Sequence, residues 1–150
     1  MSLQSFEILL ADDDEDDTFL FREALSQIPV SANLVVAENG MELMKKLTSS
    51  VNVPDIIFLD MNMPVKNGLE CLTEIRQNNK LSKIPVVILS TSVADNLLSS
   101  AYKGGANLYI QKPTSFSSLI SVIENCIRRK GEFVNAPGPE DFLIKNPGNK

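Results

Sequence analysis

The chain has 150 residues, of which 43% are hydrophobic, and its formal net charge is −5. This length and composition predict one globular domain with a full hydrophobic core. The acidic balance, without a basic patch, argues against direct binding to nucleic acid or to a membrane surface. The chain contains no histidine, so it has neither a Ser-His or Cys-His catalytic pair nor a phosphohistidine of its own.

The two cysteines, Cys71 and Cys126, lie among apolar helical positions. We predict that they are reduced thiols in the core, because two isolated cysteines without histidine do not form a zinc site. No apolar run approaches the length of a membrane span, and no signal peptide precedes the first predicted strand. The default expectation is therefore a cytoplasmic protein.

Five short apolar runs alternate with five helical patterns along the chain. The runs comprise residues 8–11, 34–37, 56–59, 86–89 and 108–110. They are rich in Ile, Val and Leu without polar alternation, which predicts strands buried on both faces of a parallel sheet.

Apolar residues recur at helical spacing between these runs. The helical stripes comprise residues 20–28, 43–47, 69–75, 97–102 and 116–127. Pro29 follows the first stripe as a stop signal, and Asn39 precedes the second as an N-cap. Gly104 and Gly105 close the fourth stripe.

Strand–helix alternation repeated five times predicts right-handed crossovers and a doubly wound α/β domain over residues 6–130. We expect a flavodoxin-like, five-stranded parallel sheet of order 2-1-3-4-5 with helices on both faces. In such sheets, ligands bind beyond the carboxyl ends of the strands, at the point where the strand order reverses.

Residues 131–150 differ in composition, with three of the seven glycines and three of the eight prolines. We predict a C-terminal tail that is mostly without regular structure. The tail is either mobile or docked, on the domain or on a partner, through its apolar segments at 133–134 and 142–144.

Polar side chains follow the predicted strands at the same edge of the sheet. Asp12 and Asp13 follow the first strand, Asp60 the third, Ser90 the fourth and Lys112 the fifth. Each has an ordinary explanation when taken alone, as a helix-starting acid, a turn residue or a loop lysine. Adjacent carboxylates at a strand end repel each other unless a cation lies between them, and Mg²⁺ prefers oxygen ligands. Together they predict a magnesium-bound phosphoryl acceptor.

Several stretches carry a closer resemblance, in order and at matching spacing. They comprise residues 8–14, 55–64, 67–68, 85–90 and 112–113. The chain resembles the CheY-like receiver domain of the response regulators of bacterial two-component signalling over residues 6–130. Ser90 departs slightly from the pattern, because threonine is commoner there, and the tail extends past the usual end of the family.

The resemblance implies a role for each acidic residue. Asp60 would be the phosphoacceptor. Asp13 and Asp60 would bind Mg²⁺ directly, with the backbone carbonyl of Asn62 as a third ligand, and Asp12 would act through a metal-bound water.

The resemblance also implies roles for three residues outside the acidic group. Lys112 would pair with the phosphoryl oxygens, and the Ser90 hydroxyl would bond the phosphoryl group. Tyr109 matches an aromatic position that changes rotamer on activation, although it equally suits an ordinary aromatic at the edge of the sheet.

The leading hypothesis is a stand-alone receiver, because the sequence ends soon after the fifth helix. It would be a signalling module limited to self-phosphotransfer and autodephosphorylation, not an enzyme with turnover. The donor would be a sensor histidine kinase or phosphotransfer protein. The fourth helix, fifth strand and fifth helix would contact a downstream protein, and a homodimer remains open.

Two alternatives belong to other functional classes. The first is a receiver-like protein-binding module that is never phosphorylated. The second is an aspartyl-phosphate hydrolase, which is less favoured because such enzymes usually need a second Asp where this chain has Asn62.

Overall fold

The computed structural model describes residues 5–49, 52–129, 133 and 138–145. The strands in this part of the chain are β1 (Phe6–Ala11), β2 (Ala32–Ala37), β3 (Ile56–Leu59), β4 (Val86–Ser90), β5 (Leu108–Gln111) and β6 (Leu143–Ile144). The helices are α1 (Glu15–Ser26), α2 (Gly40–Ser49), α3 (Gly68–Gln77), α4 (Asp95–Gly104), α5 (Phe116–Arg128) and α6 (Pro139–Phe142).

The strands form one parallel sheet of order β2-β1-β3-β4-β5-β6. The predicted flavodoxin-like fold and the order 2-1-3-4-5 are confirmed. The expectation of five strands was one short, because β6 from the tail adds to the outer edge of β5. β1 pairs with both β2 and β3, so the strand order reverses at β1 and opens a crevice at its carboxyl end.

The two faces of the sheet bury separate hydrophobic clusters. On one face, alternate strand residues such as Ile57 and Ile88 pack with α2, α3 and α4. On the other face, their neighbours Phe58 and Leu89 pack with α1 and α5. Every residue of β3 and β4 is buried, which is why these strands show apolar runs instead of alternation.

The starts of the helices on either side of the crevice are fixed by side-chain caps. The Asp14 carboxylate accepts hydrogen bonds from the amides of Asp16 and Asp17 at the start of α1. Asn67 and Glu70 form a reciprocal capping box at the start of α3. These caps define how the chain leaves β1 and how it enters α3 after β3.

Gly68 brings α3 unusually close to the chain that follows β3. A Cβ atom at this position would overlap the Asp60 carbonyl oxygen and lie 2.8 Å from Cα of Met61. The Gly68 amide donates to the Met61 carbonyl at 3.1 Å. The absence of a side chain therefore lets the helix support the backbone that carries Asp60.

Part of the tail lies on the domain. Phe142 is 4% exposed and packs edge to face on Tyr102, with ring centroids 5.0 Å apart, and on Tyr109 at 6.2 Å. Phe133 is also buried, and its carbonyl accepts a hydrogen bond from the Asn107 side chain. Residues 139–144 form α6 and β6, two short elements that the sequence did not predict within this tail. Residue 134 lies outside the described residues.

The described helices include none with the length and apolar character needed to cross a bilayer.

Candidate functional site

The site begins with two strands that end side by side. Ala11 of β1 is in register with Leu59 of β3, so the next residues, Asp12 and Asp60, leave the sheet as neighbours. The Asp60 amide donates to the Ala11 carbonyl at 3.0 Å, which continues the ladder past the last paired residues. The register of the sheet therefore brings together two acids 48 positions apart in the sequence.

Asp13 completes an acidic group with these two residues. Asp12, Asp13 and Asp60 each present one carboxylate oxygen, and these oxygens lie within 4.8 Å of one another. Asp12 is 3% exposed and Asp60 is 7% exposed, whereas Asp13 is open to solvent. Ligand oxygens around one Mg²⁺ ion are about 3 to 4 Å apart, so a small adjustment would let all three face one ion. The hard oxygen donors and the closeness of like charges both fit a divalent cation.

Asp60 is held by a separate partner at each carboxylate oxygen. Its Oδ1 accepts a hydrogen bond from the Asn62 amide at 3.2 Å, and its Oδ2 lies 3.3 Å from Nζ of Lys112. Met61 and Met63 are buried on either side of the exposed Asn62. The two buried methionines anchor the turn that gives Asp60 its hydrogen bond.

Lys112 contacts three carboxylates. It follows the end of β5, and its amide donates to the Ser90 carbonyl at 2.8 Å. Its Nζ lies 2.6 Å from Asp17, 2.9 Å from Asp12 and 3.3 Å from Asp60. Burial lowers the pKa of Lys112, but the hydrogen bonds to Asp17 and Asp12 and the charge of Asp60 raise it above its ordinary value overall. Lys112 therefore remains a cation at neutral pH.

Asp12 has a perturbed proton affinity. Burial raises the pKa of Asp12 from 3.8 to about 6, and the Asp14 amide and Lys112 only partly oppose this. Asp12 is therefore ionised at neutral pH at an energetic cost. A cation placed beside it would relieve that cost.

Ser90 and Tyr109 both reach the loop that follows β4. Ser90 is fully buried, and its Oγ accepts a long hydrogen bond from the Ser92 amide at 3.4 Å. The buried Tyr109 donates its hydroxyl hydrogen to the Ser92 carbonyl at 2.6 Å. Burial raises the pKa of Tyr109, with smaller effects from Ser90 and Asp60. Ser92 thus links the two residues for which the sequence predicts a switch.

The sequence reasoning missed one residue of the site, Asp17. Asp17 lies in the acidic first turn of α1 beside Asp16, after the N-cap Asp14, where an acid has an ordinary explanation as a helix-starting residue. The available signal was its place as the third residue of α1, a position whose side chain often reaches back toward the helix start. The local sequence around Asp17 could not predict Lys112 as its partner, because Lys112 lies 95 positions away.

Comparison with known proteins identifies the family. Residues 8–124 match the family described as the response regulator receiver domain. The chain belongs to this family. The resemblance seen in the sequence is therefore confirmed for most of the receiver domain predicted over 6–130.

Curated relatives include other receivers. The response regulator Rcp1 of Synechocystis sp. is 32% identical over 122 residues, which cover 78% of this chain and 83% of Rcp1. The chemotaxis protein CheY1 of Helicobacter pylori is 29% identical over 106 residues, which cover 71% of this chain and 84% of CheY1.

Solved receiver structures share the fold. The phosphorylated cyanobacterial phytochrome response regulator RcpA aligns with a TM-score of 0.79 and 32% identity, covering 90% of this chain and all of RcpA. The Mn²⁺-bound form of Rcp1 aligns with a TM-score of 0.75 and 31% identity, covering 88% of this chain and 99% of Rcp1.

Proposed function

We propose that this receiver accepts a phosphoryl group on Asp60, in a Mg²⁺-dependent reaction, from a histidine kinase or a phosphotransfer protein. One observation carries the proposal: three carboxylate oxygens lie within 4.8 Å of one another, with a lysine ammonium 3.3 Å from the proposed acceptor. That arrangement combines a divalent-cation site, a nucleophile and a fixed positive charge, which are the main requirements of phosphoryl transfer.

Asp13 and Asp60 would bind the metal directly, with the backbone carbonyl of Asn62 as a third ligand and Asp12 acting through a bound water. The metal would neutralise charge on the phosphoryl oxygens. Support comes from the donor set described above and from the relative Rcp1, whose structure has been determined with Mn²⁺.

The proposed reaction is a displacement at phosphorus. A carboxylate oxygen of Asp60 forms a bond to phosphorus while the bond from phosphorus to the donor imidazole nitrogen breaks, and that nitrogen keeps the electron pair. The product is an acyl phosphate on Asp60. The Asn62 amide and Lys112 each hold one Asp60 oxygen, which orients the carboxylate for attack.

Lys112 would then pair with the phosphoryl oxygens, and the Ser90 hydroxyl would turn toward them. Because Tyr109 donates its hydroxyl hydrogen to the Ser92 carbonyl, movement of the loop after β4 would disturb the hydrogen bond between Tyr109 and Ser92. We propose that this shifts an existing equilibrium at α4, β5 and α5, the surface for a downstream protein or for a second receiver.

The test is incubation with phosphoramidate and Mg²⁺, followed by intact-mass measurement. The wild-type protein should gain one phosphoryl adduct, and Asp60→Asn and chelation should each abolish it. Asp95→Asn is the matched control, because it makes the same change at an exposed residue in the first turn of α4. An adduct that persists at the wild-type rate in Asp60→Asn would refute the assignment.

The chain is a signalling module by family, and we propose that its chemistry ends with self-phosphotransfer and autodephosphorylation. Continuous release of phosphate from a small ester, at many turnovers per molecule, would instead favour the hydrolase alternative. The unphosphorylated binding module would be favoured if wild-type protein and Asp60→Asn bound a partner equally under phosphorylating conditions.

We propose a phytochrome-type histidine kinase as the first donor to test. RcpA, described as a phytochrome response regulator, is 32% identical to this chain and covers 90% of it. Phosphotransfer from such a kinase should be faster than from a chemotaxis kinase. We also propose a cytoplasmic location, which is typical of the receiver family to which the chain belongs.

A further inference from the structure

Lys112 has its shortest contact with a residue outside the proposed metal site. Its Nζ lies 2.6 Å from Asp17, compared with 2.9 Å from Asp12 and 3.3 Å from Asp60. Asp17 does not belong to the group of three acids that can share a cation. Lys112 therefore contacts two acids of the proposed metal site and a third acid, Asp17, that lies beside that site.

The geometry points to Asp17 as a positioning residue that holds the Lys112 ammonium beside the metal site until a phosphoryl group takes it over. The inference rests on the proposed function of the site and adds a residue to its control. Asp17 acts through Lys112 and has no assigned contact with the metal or with the phosphoryl group.

Charge competition explains why the site would need such a residue. An ammonium and a divalent cation repel each other, so Lys112 and Mg²⁺ compete for the carboxylates of Asp12 and Asp60. Asp17 offers Lys112 a carboxylate that the metal does not need. The ammonium can thus withdraw from Asp60 when the metal enters, without losing its last negative partner.

The position of Asp17 is fixed well enough for this role. Its amide is bound by the Asp14 cap at 3.1 Å, at the start of α1. The Asp17 side chain is 37% exposed, whereas that of Lys112 is 13% exposed. The pair therefore joins the first turn of α1 to the end of β5. Asp17, the more exposed of the two residues, can release the more buried Lys112.

Removing the Asp17 carboxylate should have opposite effects on two ligands. Without Asp17, Lys112 rests on Asp12 and Asp60, so Mg²⁺ must displace it and binds more weakly. When the metal is bound, the variant has no Asp17 carboxylate to compete for Lys112, so an anionic phosphoryl analogue binds more tightly than it does to the wild-type protein. Because the pair is partly exposed, each change should be about two- to fivefold.

Asp17→Asn is the test, and Asp16→Asn is the matched control. Asp16 is the adjacent exposed acid of α1 and makes no ion pair with Lys112 among the described residues. Both variants lose one negative charge at the start of the same helix. Mg²⁺ affinity would be measured by calorimetry, and beryllofluoride affinity at saturating Mg²⁺ by ¹⁹F NMR, with thermal unfolding as the check on folding.

The expected result is weaker Mg²⁺ binding and tighter beryllofluoride binding in Asp17→Asn, with both affinities near wild type in Asp16→Asn. Asp17→Ser also removes the carboxylate and should change both in the same directions. The inference is overturned if Asp17→Asn matches Asp16→Asn, or if both ligands bind more weakly, as general damage would cause. A wild-type protein that binds no beryllofluoride with Mg²⁺ would defeat the proposed function itself, and this inference with it.

Discussion

Replacing Gly68 by alanine should damage the site without changing any of its charged groups. A Cβ atom there would overlap the Asp60 carbonyl oxygen and lie 2.8 Å from Cα of Met61 and 3.0 Å from the Asp60 carbonyl carbon. All three are backbone atoms, so no side-chain rotation can relieve the contact. Either α3 must move away or the turn that follows β3 must shift.

The size of the effect follows from this crowding. Adding a methyl group to a well-packed site costs about 1–3 kcal/mol, which corresponds to a melting temperature lower by about 3–10 °C for a chain of this size. A shift of the turn would also move the Asp60 carboxylate and the Asn62 amide together. Displacements of about 1 Å at a reacting group can slow a reaction by about a hundredfold, so we expect phosphorylation to slow by about ten- to a hundredfold.

The assay compares thermal unfolding with the rate of phosphorylation by phosphoramidate. Gly104→Ala is the matched control, because the atoms nearest to its Cβ would belong to the side chains of Leu72 and Leu69, the closest at 3.0 Å. These side chains can adjust, so its phosphorylation rate should stay near wild type. If Gly68→Ala melts and reacts like the wild-type protein, the proposed support of Asp60 by α3 is incorrect.

Three further changes test other parts of the structure. Val65 is 75% exposed and its φ is +70°, a conformation that β-branched residues disfavour. Val65→Gly should therefore raise the free energy of unfolding, measured by urea titration, by about 1 kcal/mol. A decrease would contradict the inferred backbone strain. The pKa of Asp12 is raised to about 6 in the folded protein, so folded Asp12 holds a proton more tightly than unfolded Asp12 does. In the metal-free protein, the contribution of Asp12 to the free energy of unfolding therefore falls as pH rises from about 4 to 7. Asp12→Asn should therefore gain up to about 3 kcal/mol relative to wild type over that range, whereas an equal difference at pH 4 and pH 7 would argue against it. Phe142→Ala removes the contacts with Tyr102 and Tyr109, so the amides that pair β6 with β5 should exchange faster by hydrogen-exchange mass spectrometry; unchanged protection would mean that the strand pairing alone holds the segment.

The sheet and most of the site could be predicted because both follow from short-range patterns and one geometric rule. Strands buried on both faces show apolar runs, and the carboxyl ends of parallel strands meet at one edge. Asp12, Asp60 and Lys112 each follow a strand directly, so knowing the strands was enough to expect them together. Their roles in phosphoryl transfer remain predictions until the Asp60→Asn experiment is done.

Asp17 and the tail could not be predicted in the same way, because their places depend on tertiary contacts. An acid in the first turn of a helix is common for reasons unrelated to any partner. The tail has a composition typical of irregular chain, yet Leu143 and Ile144 pair with β5, next to Phe142, which lies against two tyrosines. Local propensity contains no information about those tyrosines.

The short strand β6 has a consequence for how β5 meets other molecules. An uncovered sheet edge offers free backbone donors and acceptors, and such edges invite aggregation. Here Leu143 and Ile144 shield that edge beside Tyr109. A protein that recognises this side of the domain must either bind the outer edge of β6 or first displace β6 from β5. In the second case, its affinity is weakened by whatever free energy holds the segment in place.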